Sequence, residues 1–280
     1  MHPEQNFYIT TTLRNEELIM SMQPDLKGFH AVITGGSSGL GFEMSKTLLS
    51  HGATVAIAAR GGEKLDKAYA LLKAEGYDVY SLAMDVRKPD SVATAAKWTS
   101  DNWNRLDMLV NDAGIGMRGA NKGTHDNPSP FFEMDIQAFY DIVETNFIGY
   151  FLVAHAFVPL MIPGGGRVVN VSTGIQTMTA QGQLPYGPAR AGAEAMSVIM
   201  SKQLRDYDIT VNVLLPGGPS NTGFVDASNR KRFENEGLLP ASVMNEAILF
   251  LASDKAAGMT GERIIGKEFH EWLGEKGITL

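Results

Sequence analysis

The sequence predicts an α/β protein: a single doubly wound domain whose parallel sheet is covered by helices on both faces. Three observations predict it. Short apolar, β-branched runs alternate with longer helical patterns along the chain. The runs are apolar at nearly every position, as strands buried on both faces are. No repeat and no linker divides the 280 residues, a length that suits one large domain.

The elements follow in order. "FHAVIT" (29–34) is the first strand, and "TGGSSGLG" (34–41) leaves it to open the helix "GLGFEMSKTLLSHG" (39–52). "TVAIAA" (54–59) is the second strand, followed by the helix "EKLDKAYALLKAEG" (63–76). That helix carries Glu and Lys on its outer face and keeps Leu65, Ala68, Leu71 and Leu72 for the core. Both helices close at a glycine, the expected stop. "YDVYSLAMDV" (77–86), "LDMLVN" (106–111), "GRVVNVS" (166–172), "ITVNVLLP" (209–216) and "RIIG" (263–266) complete the sheet. Residues 1–26 read as an N-terminal extension, 27–266 as the domain and 267–280 as a tail whose Phe269, Trp272 and Leu273 should dock somewhere. Two stretches read as additions around a site. One is the long Gly/Asn/Ser/Pro-rich loop 114–135. The other, 217–240, lies beyond the C-terminal end of a strand, where ligands bind in open α/β sheets.

Composition excludes several classes. The formal charge of −7 and pI near 5.4 do not favour nucleic acid or anionic lipid, which attract basic patches. With no cysteine there is no disulfide, thiolate catalysis or Cys-ligated zinc. The six histidines, His2, His30, His51, His125, His155 and His270, show no ligand spacing, so no metal is expected. No uninterrupted apolar run is long enough for a membrane span, and the first residues lack the pattern of a secretory signal. A cytoplasmic protein is expected.

The glycine loop suggests a dinucleotide. Gly35 allows a tight exit from the strand, while Gly39 and Gly41 admit a diphosphate close to the backbone. The helix start offers free N–H groups and positive potential. Gly35, Ser37, Ser38, Gly39, Leu40 and Gly41 are therefore cofactor-site candidates. Where such folds often carry an acidic residue for the NAD ribose, this chain has Ala59 and Arg60. Arginine suits a 2′-phosphate by charge and by its fork of donors, so NADP(H) is expected, with Ser37 as a further contact. An exposed Arg60 without a role is the alternative.

Taken together, residues 27–266 resemble the short-chain dehydrogenase/reductase family. The resemblance rests on "TGGSSGLG", "DV" (85–86), "NDAG" (111–114), "TNFIG" (145–149), "VNVST" (169–173), "YGPAR" (186–190) and "PGGPSNT" (216–222), in that order. It implies a Rossmann-type fold with strand order 3-2-1-4-5-6-7 and hydride transfer between a nicotinamide and a carbonyl or secondary alcohol. It implies adenine-side contacts at Asp85 and Val86, a ribose wall from Asn111, Ala113 and Gly114, and nicotinamide contacts at Pro216, Gly217 and Thr222. Tyr186 matches the general acid/base and Asn146 the residue that positions a relay water. A homodimer or homotetramer is implied, built on the helices that carry Asn146 and Tyr186.

Three positions depart from the family pattern. Arg190 replaces the lysine four residues after the tyrosine. Its charge can still help Tyr186 and hold the cofactor ribose, but it does not readily release a proton. Thr173 stands at the catalytic serine position, keeping the hydroxyl on a stiffer side chain; Ser172 is the fallback donor. Asp112 replaces an asparagine and brings a charge that is costly to bury unpaired. Catalytic candidates are thus Tyr186, Arg190, Thr173 and Asn146. These departures also motivate a second reading, an NADP(H)-binding regulatory or redox-sensing protein with impaired catalysis. A sugar-nucleotide epimerase or dehydratase is weaker, because the larger C-terminal substrate domain is missing.

Overall fold

The computed structural model describes residues 24–117, 120, 128–225, 234–235 and 237–279. Most of the expected extension 1–26, and parts of the 114–135 and 217–240 loops, lie outside the described residues.

Seven strands form one sheet: β1 (His30–Thr34), β2 (Thr54–Ala59), β3 (Val79–Ala83), β4 (Met108–Asn111), β5 (Gly166–Val171), β6 (Ile209–Leu215) and β7 (Arg263–Ile265). Their order is β3-β2-β1-β4-β5-β6-β7 and every pairing is parallel. The expected strand order is borne out. Parallel neighbours need crossovers, and the helical segments supply them. Among the described residues these include α1 (Gly39–Ser50), α2 (Glu63–Ala74), α3 (Pro89–Asn102), α4 (Ile136–Val143), α5 (Gly149–Phe157), α6 (Ile175–Thr179), α7 (Tyr186–Gln203) and α8 (Asn245–Ala252), while α9 (Phe269–Lys276) follows the last strand. Glu144–Ile148 is a π-helical turn that joins α4 to α5.

Two apolar cores flank the sheet because its inner strands are buried on both sides; the edge strand β3 is exposed at Tyr80, Ser81 and Ala83. One gathers Ile33, Ile57 and Val110 with Met44 and Leu48 of α1, Leu65 and Leu72 of α2, and Ile248 and Leu251 of α8. The other gathers Val32, Ala56 and Leu109 with Val92 and Ala95 of α3 and Val153 and Phe157 of α5. Leu71 is a correction: it is 52% exposed. The buried stripe of α2 is Leu65, Ala68 and Leu72, spaced i, i+3, i+7, and Leu71 lies about 100° to one side of it. The C-terminal cluster docks on its own domain. Phe269 and Leu273 are buried, and the Phe269 and Trp272 rings lie 5.6 and 5.9 Å from Phe250 of α8.

The register positions the site. Thr34 of β1 pairs with Asn111 of β4, which pairs with Asn170 of β5. The loops that leave these strand ends meet where the order reverses between β1 and β4, the crevice that binds ligands in doubly wound sheets.

Candidate active site

The glycine loop has the geometry of an anion cradle. Gly35 and Gly39 take φ of +73° and +60°, values that favour glycine. Ser38 precedes α1 without capping it through its side chain, and no acidic residue stands in the first turn. Apart from the Gly41 amide, which donates to Asp112, the first N–H groups and the positive end of the helix face a diphosphate site. Thr222 comes over this loop, for a side chain at residue 39 would begin 3.2 Å from its Cβ. Gly217 has φ +93° and packs on Ile265 and Lys267, while the Pro216 carbonyl accepts from the Lys267 amide. Segments expected at the diphosphate and at the nicotinamide end of the cofactor therefore meet at one crevice.

Thr34 ties the next turn in place. Its hydroxyl accepts from the amides of Asp112 and Ala113, both at 3.0 Å, and donates to the Val110 carbonyl. Asn111 extends inward, its amide donating to Asn170 Oδ1 at 2.9 Å; Asn170 donates on to Ser197 of α7. Sequence reasoning missed Thr34 as a strut and missed the Asn111–Asn170–Ser197 chain. The signal available was polar residues at the ends of otherwise apolar strands. Asp112 sits between the glycine loop and Arg190. Burial pushes its pKa up to about 7, against the pull of Arg190 and a hydrogen bond from the Gly41 amide. The carboxyl fills the space beside two glycines: a side chain at residue 41 would begin 2.6 Å from Asp112 Oδ2, and one at residue 35 would begin 3.0 Å from it.

Tyr186 opens α7 and is buried, and Pro188 falls in the first turn, where its missing N–H costs no hydrogen bond. Gly187 is required there, since a Cβ would sit 2.0 Å from the Met178 carbonyl oxygen. One helical turn on, Arg190 is only 3% exposed. Its guanidinium carbon lies 5.4 Å from the Tyr186 ring centroid and 5.2 Å from that of Tyr150. Nη1 donates to the Tyr150 hydroxyl and, at 2.8 Å, to the Val171 carbonyl. Burial works against the Arg190 charge, but Tyr150 and Tyr186 more than offset it, so its pKa rises above the ordinary value. Burial also raises the Tyr150 phenol, to about 12, although Arg190 opposes this. Nε of Arg190 is buried without a protein acceptor.

Asn146 lies in the π-helical turn, a feature frequent at functional sites, and is fully buried. Its amide donates to the carbonyls of Ile115 and Ile142, and its oxygen accepts from the Ile115 amide. Gly114 lies against both groups. A Cβ there would stand 2.4 Å from Arg190 Nη2 and 2.7 Å from Asn146 Oδ1. The structure thus brings Tyr186, Arg190, Asn146 and Gly114 together.

Ser172 and Thr173 follow β5 directly. Ser172 is buried and its hydroxyl has no partner; Thr173 is half-buried, and its carbonyl is held by Arg263 at 2.9 Å. At the far corner, Arg60 is exposed at the end of β2. Asp85 is engaged by Arg87 through Nε, Nη2 and the backbone amide. The bonds from Arg87 and, further down, the charge of Arg60 hold its carboxyl below the usual range. Val86 is buried and packs against Gly149. The residues fit a dinucleotide: an uncapped helix start behind positive-φ glycines, a cation at the ribose corner and an unpartnered buried N–H on Arg190.

Comparison with known proteins agrees with this geometry. The family model described as short chain dehydrogenase matches residues 29–232. The chain is 29% identical over 249 residues to the 3-oxoacyl-(acyl-carrier-protein) reductase FabG of Vibrio cholerae, covering 86% of this chain and 96% of that one. It is 28% identical to a peroxisomal 2,4-dienoyl-CoA reductase of Arabidopsis thaliana, covering 85% and 83%. A crystal structure of a short-chain type dehydrogenase/reductase from Mycobacterium marinum superposes with a TM-score of 0.76 at 25% identity, covering 88% and 96%. The chain belongs to the short-chain dehydrogenase/reductase family, a family of oxidoreductases that use a nicotinamide cofactor.

Proposed function

We propose that the chain is an NADP(H)-dependent oxidoreductase acting on a small carbonyl compound or secondary alcohol, with Tyr186 transferring the proton. The observation that carries the reading is Tyr186 buried at the head of α7 with the Arg190 guanidinium against its ring, in the crevice shared with the glycine loop. When bound, the nicotinamide supplies or takes up the hydride. In reduction, the Tyr186 hydroxyl gives its proton to the carbonyl oxygen; in oxidation it takes the proton back. The Thr173 hydroxyl donates to the same oxygen and fixes it, with Ser172 as the fallback donor. The permanent charge of Arg190 favours negative charge on the reacting oxygens, and its open N–H edge suits ribose hydroxyls. Arg190 keeps its proton, so Tyr186 is reprotonated by another route. Asn146 serves that route by shaping the π-turn around a water, since both its amide hydrogens are used.

Arg60 is the proposed partner of the 2′-phosphate. The apolar side chains exposed on α4 and α5 (Ile136, Tyr140, Phe151) and on α7 (Val198, Ile199) suit burial in a homodimer or homotetramer. Titration with NADPH and NADH, followed by nicotinamide fluorescence, tests the cofactor assignment. NADPH should bind at least about tenfold tighter, and Arg60→Ala should erase the preference, as loss of a charge-assisted phosphate contact does. Equal binding refutes the role of Arg60. Binding of neither refutes the oxidoreductase and sensor readings together. Tight NADPH binding with no turnover across a broad carbonyl panel favours the sensor.

A further inference from the structure

We infer that Tyr150 is a positioning residue that fixes Arg190 toward the cofactor, so that the pair, and not Arg190 alone, takes the place of the family's lysine. This rests on the cofactor reading above. Tyr150 stands in α5, one turn beyond Asn146, and is 1% exposed. Its hydroxyl accepts from Arg190 Nη1 and donates to the Val171 carbonyl at 3.1 Å. The same Nη1 donates to that carbonyl, closing a three-membered ring of bonds at the end of β5. The guanidinium is therefore fastened at one nitrogen and lies close to two phenol rings.

This fastening decides where the remaining donors point. Both hydrogens of Nη1 are used. Nη2 lies beside Gly114, and Nε is buried with no protein acceptor, so Nε is a donor available to a ligand. Arginine has a long, rotamer-rich stem, and a planar fork orients its donors only when it is itself anchored. A lysine ammonium is a compact point charge that needs no planar anchor. A tyrosine hydroxyl at residue 150 thus has a function beside an arginine that it lacks beside a lysine. A purely structural Tyr150 would matter equally in both settings.

A double-substitution cycle separates the two. NADPH affinity by nicotinamide fluorescence and thermal midpoint are measured for the unaltered protein, Tyr150→Phe, Arg190→Lys and the double variant. Tyr150→Phe should weaken NADPH about tenfold in the unaltered background, the scale of one hydrogen bond to a charged group. In the Arg190→Lys background it should change affinity less than about twofold, and lower the thermal midpoint less than in the unaltered background, since its bond to Arg190 is already gone there. If Arg190→Lys does not fold, Arg190→Met takes its place. Equal affinity losses in the two backgrounds, or no loss in the first, overturn the inference and leave the cofactor reading standing. If the unaltered protein binds neither NADPH nor NADH, the cofactor reading falls and the inference falls with it.

Discussion

Asp112→Asn should stabilise the protein above neutral pH, and the structure gives the size. The carboxyl has an ordinary pKa of 3.8 in the unfolded chain and about 7 in the fold, chiefly from burial. Below pH 3.8 it is protonated in both states and has no effect on stability. Between that value and about 7 the unfolded chain releases the proton while the folded chain keeps it, so stability falls as pH rises. Above about 7 the deficit is complete and constant. At about 1.36 kcal/mol per pH unit, the gap amounts to roughly 4 kcal/mol. Asp112 retains some exposed surface, so about 2–4 kcal/mol is expected. Asparagine keeps an oxygen for the Gly41 amide and carries no charge. Thermal melts of both proteins from pH 4 to pH 8 test this. The variant should match the unaltered protein near pH 4 and melt about 5–15 °C higher at pH 8. Parallel curves, or a variant less stable at pH 8, would refute the assignment of a destabilising buried charge.

Two further outcomes follow from packing. Gly114→Ala places a methyl group 2.4 Å from Arg190 Nη2, so it should displace the guanidinium, lose about 1–3 kcal/mol of stability and weaken NADPH binding at least tenfold; unchanged binding by fluorescence would contradict the contact. Phe269→Ala empties a fully buried site between α9 and α8 and should cost about 3–5 kcal/mol in denaturant unfolding, with NADPH affinity unaltered in the folded protein.

Much of the fold was legible because its signals are local. Apolar strands, glycine stops and the order of motifs lie within short windows, and strand order follows from the family they identify. Leu71 failed for a geometric reason: a leucine beside a buried leucine on a helix points about 100° away, and composition alone does not say which side is covered. The site was legible as a list of residues and illegible as a set of contacts. Arg190 read as a departure from the pattern. What holds it is Tyr150, forty residues earlier in the chain, and the carbonyl of Val171. Neither carries a local signature: a tyrosine in an apolar helix reads as core, and a carbonyl is invisible in sequence. Asp112 was legible as a costly charge, but not as the group packed against Gly35 and Gly41.

The most direct test is NADPH consumption across a broad panel of aldehydes and ketones, comparing the unaltered protein with Tyr186→Phe. Loss of the phenol hydroxyl removes the proton donor and leaves the ring packed among Phe224, Ile142 and Arg190. Turnover by the unaltered protein, lost at least a hundredfold in the variant with NADPH affinity retained, is the predicted result, a general acid contributing about 10²–10⁴-fold. Equal turnover in both proteins would contradict Tyr186 as the acid.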